Sequence, residues 1–227
     1  MGTQKAVVFD MDGVLMDSFT PHFESWRAMF AEYGYDITLD DFALTFGKTS
    51  RETIPLLVPG LTNEQIHEMD LRKEFLYREL VAKKFPSMPG VFELLTRLCT
   101  WHYAIAIGSS GPRDNVEQAV QMLDPESKYF DAIANGSDVK RGKPAPDVFL
   151  LALQRLRTKF PTLTAADCVV VEDSPLGVAA AHTAGMLAIG FASTGRTHEE
   201  LVHADHTIDS LDEITLPLLQ TLYTHSP

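Results

Sequence analysis

Five short segments, "KAVVF" (5–9), "YAIAI" (103–107), "DAIA" (131–134), "CVVVE" (168–172) and "LAIGF" (187–191), are mostly apolar without polar alternation. A strand with one wet face alternates apolar and polar residues, so continuous apolar runs of this length point to strands buried on both faces, as in a parallel sheet covered by helices. The intervening patterns agree. Helical periodicity over 90–100, 113–123, 147–157 and 175–184 begins in each case after Pro or Gly punctuation, the sequence form of βαβ units. The expected fold is α/β: a Rossmann-like parallel sheet core with helices on both faces.

Residues 18–87 break that rhythm, with several helical patterns and no convincing strand. "HFESWRAMFAEYG" (22–34) places Phe23, Trp26, Phe30 and Tyr33 on one stripe and ends on Gly34, a residue suited to a helix C-terminus. "LTNEQIHEMDLRKEFLYRELVAKKF" (61–85) opens with a Thr62-x-x-Gln65 capping box and carries Ile66, Met69, Lys73, Leu76 and Leu80 on roughly one face. A segment this long is too long for a loop and suits a small helical bundle inserted in the sheet domain. The expected division is a core of residues 1–17 and 88–227 with an α-helical cap of residues 18–87.

Nineteen basic against thirty-one acidic side chains give a net charge of −12, which argues against nucleic acid or an anionic membrane surface as the partner. Cys99 and Cys168 stand far apart in apolar surroundings and read as core residues rather than a disulfide. No signal peptide or membrane-length apolar run is visible, so a cytoplasmic monomer is expected.

In open parallel sheets, ligands bind beyond the carboxyl ends of the strands. Those positions hold Asp10-x-Asp12-Gly13 after the first run, Gly108-Ser109-Ser110-Gly111 after the second, Gly142-Lys143-Pro144 before a helix, and Glu172-Asp173-Ser174 after the fourth. Carboxylates gathered this way need positive charge. A divalent cation with oxygen ligands supplies it, and so few carboxylates, with positions left for water and substrate, favour Mg2+ over Ca2+. A lysine, hydroxyls and a helix N-terminus suit phosphate oxygens, and a carboxylate can attack phosphorus once that charge is neutralised. Unassisted, a carboxylate about 4 Å from a phosphate dianion would meet several kcal/mol of repulsion at an effective dielectric near 20. Asp10 and Asp12, two residues apart on an extended segment, point the same way, so one can attack while the other moves protons.

These four segments, with Ser109 after the second strand, Lys143 in "GKPAPD" and Glu172-Asp173 in "VVEDSPLG", resemble the four motifs of the haloacid dehalogenase superfamily of phosphotransferases. The resemblance spans the chain. It implies Asp10 as the nucleophile that becomes aspartyl-phosphate, Asp12 as acid/base, Ser109 and Ser110 as phosphate contacts and Lys143 as charge clamp. It also implies Mg2+ held by Asp10, the backbone carbonyl of Asp12 and Asp173, with Glu172 in support. The insert resembles the cap of the subgroup containing β-phosphoglucomutase and many sugar-phosphate phosphatases, which implies substrate-facing roles for His22, Trp26, Arg51 and Lys73. Where that mutase has polar side chains after the second motif, this chain has Gly111, Pro112 and Arg113, and Arg113 is expected as a replacement contact.

The implied activity is hydrolysis of a small phosphorylated metabolite, a sugar phosphate first of all, with a β-phosphoglucomutase-type transfer as the alternative. A phospho-acceptor signalling module combines similar residues, but in a different order and without the insert. Plainer readings also exist. Ser109 and Ser110 can cap the following helix, Asp173 two residues before Pro175 looks like an N-cap, and Asp17 braces the entry to the insert. The acid-rich stretch 198–213 reads as a solvated face, and the scattered histidines 182, 198, 203 and 206 lack metal-ligand spacing.

Overall fold

In the computed structural model, residues 4–43, 49–193 and 195–224 are described. The chain forms two compact units, Met1–Asp17 with Ser87–Pro227, and Ser18–Pro86.

The first unit is built on a parallel sheet of β1 (Ala6–Phe9), β2 (Ala104–Gly108), β3 (Ala132–Ala134), β4 (Cys168–Glu172), β5 (Leu187–Phe191) and β6 (His206–Ile208), in the order β3-β2-β1-β4-β5-β6. Residues of one parity, among them Ala6, Val8, Ala106 and Val170, pack with Phe149, Leu156, Val178 and Ala181 in one cluster. Those of the other parity, Val7, Phe9, Ile105, Ile107, Val169 and Val171, are equally buried. Both faces are therefore covered, which is why the strands read as unbroken apolar runs. The helices of this unit are α5 (Val91–Thr100), α6 (Arg113–Leu123), α7 (Asp147–Leu156), α8 (Pro175–Thr183) and α9 (Leu216–Thr224). Both cysteines are free, and no helix among the described residues is long and apolar enough to cross a membrane.

The strand order departs from β1 in two directions, to β2 and β3 on one side and to β4, β5 and β6 on the other. Such a reversal opens a crevice at the carboxyl edge. Phe9 pairs with Ile107 and with Val171, so the segments that follow β1, β2 and β4 leave the sheet side by side.

The acids of the stretch 198–213 are exposed, as expected of a solvated face, yet the stretch also reaches the core. Leu201, Ile208 and Leu211 are fully buried, and β6 pairs in parallel with β5. Three residues at a sheet edge are too few to show periodicity.

The second unit holds α1 (Phe19–Glu32), α2 (Leu39–Ala43), α3 (Ser50–Leu57) and α4 (Asn63–Lys83). Trp26, Met29, Phe30, Ile37, Phe42, Ile54, Val58 and Met69 form its core. Gly34 takes a positive φ of +79° just beyond α1, and the Thr62–Gln65 capping box starts α4. The buried stripe of α4 is Met69, Lys73, Tyr77 and Val81, shifted from the stripe read in sequence because Leu76 and Leu80 are only partly buried. Ser18 is the N-cap residue of α1 but makes no side-chain cap bond.

Candidate active site

Asp10 leaves β1 with its backbone N–H bonded to the Val171 carbonyl at 3.0 Å, which keeps β1 and β4 in register one residue beyond the strand. The chain then turns tightly. The Met11 carbonyl accepts from Leu15 at 2.9 Å and Met16 at 3.0 Å, and the Gly13 N–H donates to the Met16 carbonyl at 2.8 Å. Gly13 has φ +77°, and a Cβ there would overlap the Asp173 carboxylate. Glycine is required on both counts, conformation and space.

Lys143 reaches into this edge from the loop before α7. Its Nζ donates to Asp10 Oδ1 at 2.7 Å and to Glu172 Oε1 at 2.6 Å, and it lies 4.7 Å from the centre of the Phe149 ring. Phe149 can approach because β2 ends in Gly108, where a Cβ would meet the ring at 2.7 Å. The other oxygen of Glu172 accepts from Ser174 N at 2.8 Å and Ser174 Oγ at 2.9 Å. Ser174, rather than Asp173, is the N-cap of α8, accepting from Gly177 N at 3.0 Å. A side chain at Gly177 would overlap the Glu172 carboxyl, so the first turn of α8 must carry glycine to close over it. Asp173 is thereby left for the crevice, and the signal for this division was present as Ser-Pro, the usual N-cap and N1 pair.

Asp10, Glu172 and Asp173 form a buried group whose carboxylate oxygens lie within 4.8 Å of one another. The side chain of Asp12, half-buried, is not in that group. Burial pushes the Asp10 carboxyl from 3.8 up to about 7, against the pull of Lys143 and with added push from Glu172 and Asp12. Burial likewise raises Asp173 well above the usual carboxylate range, with Glu172 and Asp10 adding to it and Arg196 and Lys143 offsetting part. Burial disfavours the Lys143 ammonium, yet Asp10 and Glu172 hold it above the usual lysine range. Three buried carboxylates face one ammonium, an excess of negative charge that an oxygen-seeking divalent cation would neutralise. The donor set fits such an ion.

Ser109 is buried at the end of β2, where its N–H donates to the Ala134 carbonyl at 3.1 Å and its Oγ accepts from Gly111 N at 3.0 Å. Ser110 is exposed, and a Cβ at Gly136 would overlap its carbonyl. Neither serine caps α6, whose N-cap is Pro112. Arg113 is engaged by Asp138 at 2.6 Å. Arg196, beyond β5, carries no motif signal and was missed in sequence, although its charge acts on Asp173.

The remaining expected residues belong to the second unit. Lys73 Nζ lies 3.1 Å from His22 Nδ1 and 2.9 Å from Glu74 Oε1, with the Trp26 ring centre at 5.4 Å. Arg51 is exposed, its Nε 2.9 Å from Asp70 Oδ2 and its guanidinium 2.9 Å from His67 Nδ1.

The acid-bearing turn after the first strand, the lysine between two strand ends and the acidic pair after the fourth thus meet at the carboxyl edge, where sheets of this kind bind their ligands. The haloacid dehalogenase-like hydrolase family matches residues 7–191, and the chain belongs to that family. It is 35% identical over 190 residues to the phosphorylated carbohydrates phosphatase of Thermotoga maritima, covering 80% of this chain and 82% of that one. It is 29% identical over 224 residues to β-phosphoglucomutase of Bacillus subtilis, covering 95% and 93%. The crystal structure of CbbY from Rhodobacter sphaeroides in complex with phosphate superposes with a TM-score of 0.85 at 26% identity, over 96% of this chain and 100% of that chain.

Proposed function

We propose that this protein is a Mg2+-dependent phosphomonoester hydrolase of small phosphorylated metabolites, sugar phosphates in the first instance. The observation that carries the reading is Lys143 seated between Asp10 and Glu172 at the carboxyl edge where the strand order reverses. Lys143 holds Asp10 Oδ1, so Oδ2 is the oxygen assigned to attack. It bonds to phosphorus as the bond from phosphorus to the substrate's ester oxygen breaks, and the leaving oxygen takes a proton from Asp12. Asp12 then removes a proton from water, which attacks the aspartyl-phosphate, releases inorganic phosphate and restores Asp10. Ser109, Ser110 and the neighbouring backbone N–H groups are assigned to the phosphate oxygens, and Lys143 to their charge. Asp10, the Asp12 carbonyl and Asp173, supported by Glu172, would hold Mg2+, which supplies charge neutralisation for the attack of an anion on an anion. The Ser18–Pro86 unit serves as the cap, with His22, Arg51 and Lys73 as substrate contacts.

The similarity to the phosphorylated carbohydrates phosphatase supports hydrolysis, and the similarity to β-phosphoglucomutase supports a transfer variant of the same chemistry. Both reactions share the aspartyl-phosphate and differ in the acceptor. The test is a panel of phosphorylated metabolites assayed for inorganic phosphate, with Asp10→Asn as the dead control. A second arm supplies β-glucose 1-phosphate with a bisphosphate primer. Phosphate release from sugar phosphates supports the hydrolase. Glucose 6-phosphate formed faster than free phosphate would replace it with the mutase, and full activity in Asp10→Asn would overturn the mechanism.

A further inference from the structure

In the second unit, Lys73 is a buried lysine, with its side chain 3% exposed, set against the rings of Trp26 and Tyr77. Its neighbour in sequence, Glu74, is the acid that accepts from it. Consecutive residues on a helix do not face each other, so this pairing needs an outside hold on the carboxylate. Ser50 supplies it, donating its Oγ to Glu74 Oε1 at 2.7 Å from the first turn of α3, within the Thr49–Glu52 capping box.

Among the described residues, Lys73 also meets His22 Nδ1, at 3.1 Å. A lysine ammonium has three donors and no acceptor, so Nδ1 must be the accepting nitrogen. A neutral imidazole that accepts at Nδ1 carries its proton on Nε2. Tyr77 stacks on the His22 ring at 4.1 Å with an 11° interplanar angle, which holds the plane in which that N–H points. Glu74 also lies lower than the usual glutamate range: burial opposes this, but the Lys73 charge and the hydrogen bonds from Lys73 and Ser50 hold the carboxylate in its ionised form.

We infer that Glu74 is a positioning residue: anchored by Ser50, it orients the Lys73 ammonium onto His22 Nδ1 and thereby fixes His22 as the Nε2–H tautomer. The functional part rests on the reading above, in which His22 and Lys73 meet substrate. An Nε2–H suits an oxygen acceptor on a phosphorylated sugar, whereas the other tautomer would offer a lone pair there.

The ring state is read by long-range proton–nitrogen NMR of the His22 imidazole at neutral pH, in the whole protein without substrate. Wild type is expected to show a protonated Nε2 and a bare Nδ1. Glu74→Gln removes the charge and is expected to give a mixture of ring states, with kcat/KM on the best sugar phosphate falling about ten- to a hundredfold. Glu74→Asp is expected to restore part of both. Ser50→Ala is expected to shift the ring state in the same direction by a smaller amount. An unchanged tautomer with kcat/KM within twofold of wild type in Glu74→Gln overturns the inference; if that variant does not fold, an unchanged tautomer in Ser50→Ala does so. Because the NMR readout needs no turnover, a wild type inactive on every phosphate ester would overturn the functional reading alone.

Discussion

The Lys143 ammonium rests 2.7 Å from Asp10 Oδ1 although the two residues are 133 positions apart in the chain, and both side chains are nearly excluded from water. Removing one member of a buried ion pair leaves the other with its desolvation cost uncompensated, and here the second carboxylate, Glu172, would be stranded too. Lys143→Met is therefore expected to lower stability by about 3 kcal/mol, measured by urea unfolding without metal, and to abolish turnover. Retained stability and activity would remove Lys143 from the centre of the site.

Asp10→Asn keeps the size of the side chain but takes away the charge of the oxygen proposed to attack. Turnover should fall by on the order of a thousandfold or more, as when other nucleophiles are removed. Protein labelled with phosphate in wild type but not in this variant, detected by mass spectrometry of acid-quenched samples, checks the covalent step.

The raised Asp10 carboxyl makes a signed prediction for metal-free protein. Between its ordinary value of 3.8 and about 7, the folded chain holds a proton that the unfolded chain has released. Stability must then fall as pH rises through that window, because the native state binds more protons there. Urea midpoints taken from pH 4.5 to 7.5 should decline, and Asp10→Asn should flatten the decline. Rising midpoints over that range would contradict it.

Saturating Mg2+ should raise the unfolding temperature and counteract that decline, since a ligand at a hundred times its Kd adds about 2.7 kcal/mol. Asp173→Asn is expected to lose most of the gain, as is wild type with excess chelator. Equal shifts in wild type and Asp173→Asn, read by differential scanning fluorimetry, would place the ion elsewhere.

Gly177 has a different role, for a Cβ at that position would overlap Glu172, which is fully buried and already bonded to Lys143 and Ser174. Overpacking of this kind costs about 1 to 3 kcal/mol. Gly177→Ala should lose that stability and also activity, since Glu172 must move and Lys143 with it. Unfolding and steady-state kinetics on the same preparation check both effects.

The sheet was legible in sequence because strands covered on both faces must be apolar at every position, and Val7, Ile107 and Val170 obey that rule without help from neighbours. The edge strand His206–Ile208 was not, because three residues owe their conformation to pairing with β5 rather than to any pattern of their own. The acids after β1 and β4 and the lysine before α7 were equally plain as residue types. What the one-dimensional pattern could not decide was their sharing of one another's charge. Lys143 lies on a loop with no periodicity, and only the parallel register of β1 with β4, together with the space left by Gly13 and Gly177, brings its Nζ between Asp10 and Glu172. Sequence alone determined which strand ends carry charge, since local propensity and burial pattern are short-range properties. Tertiary structure decided which charges meet and how far their protonation shifts, because desolvation and Coulomb attraction depend on distances between segments far apart in the chain.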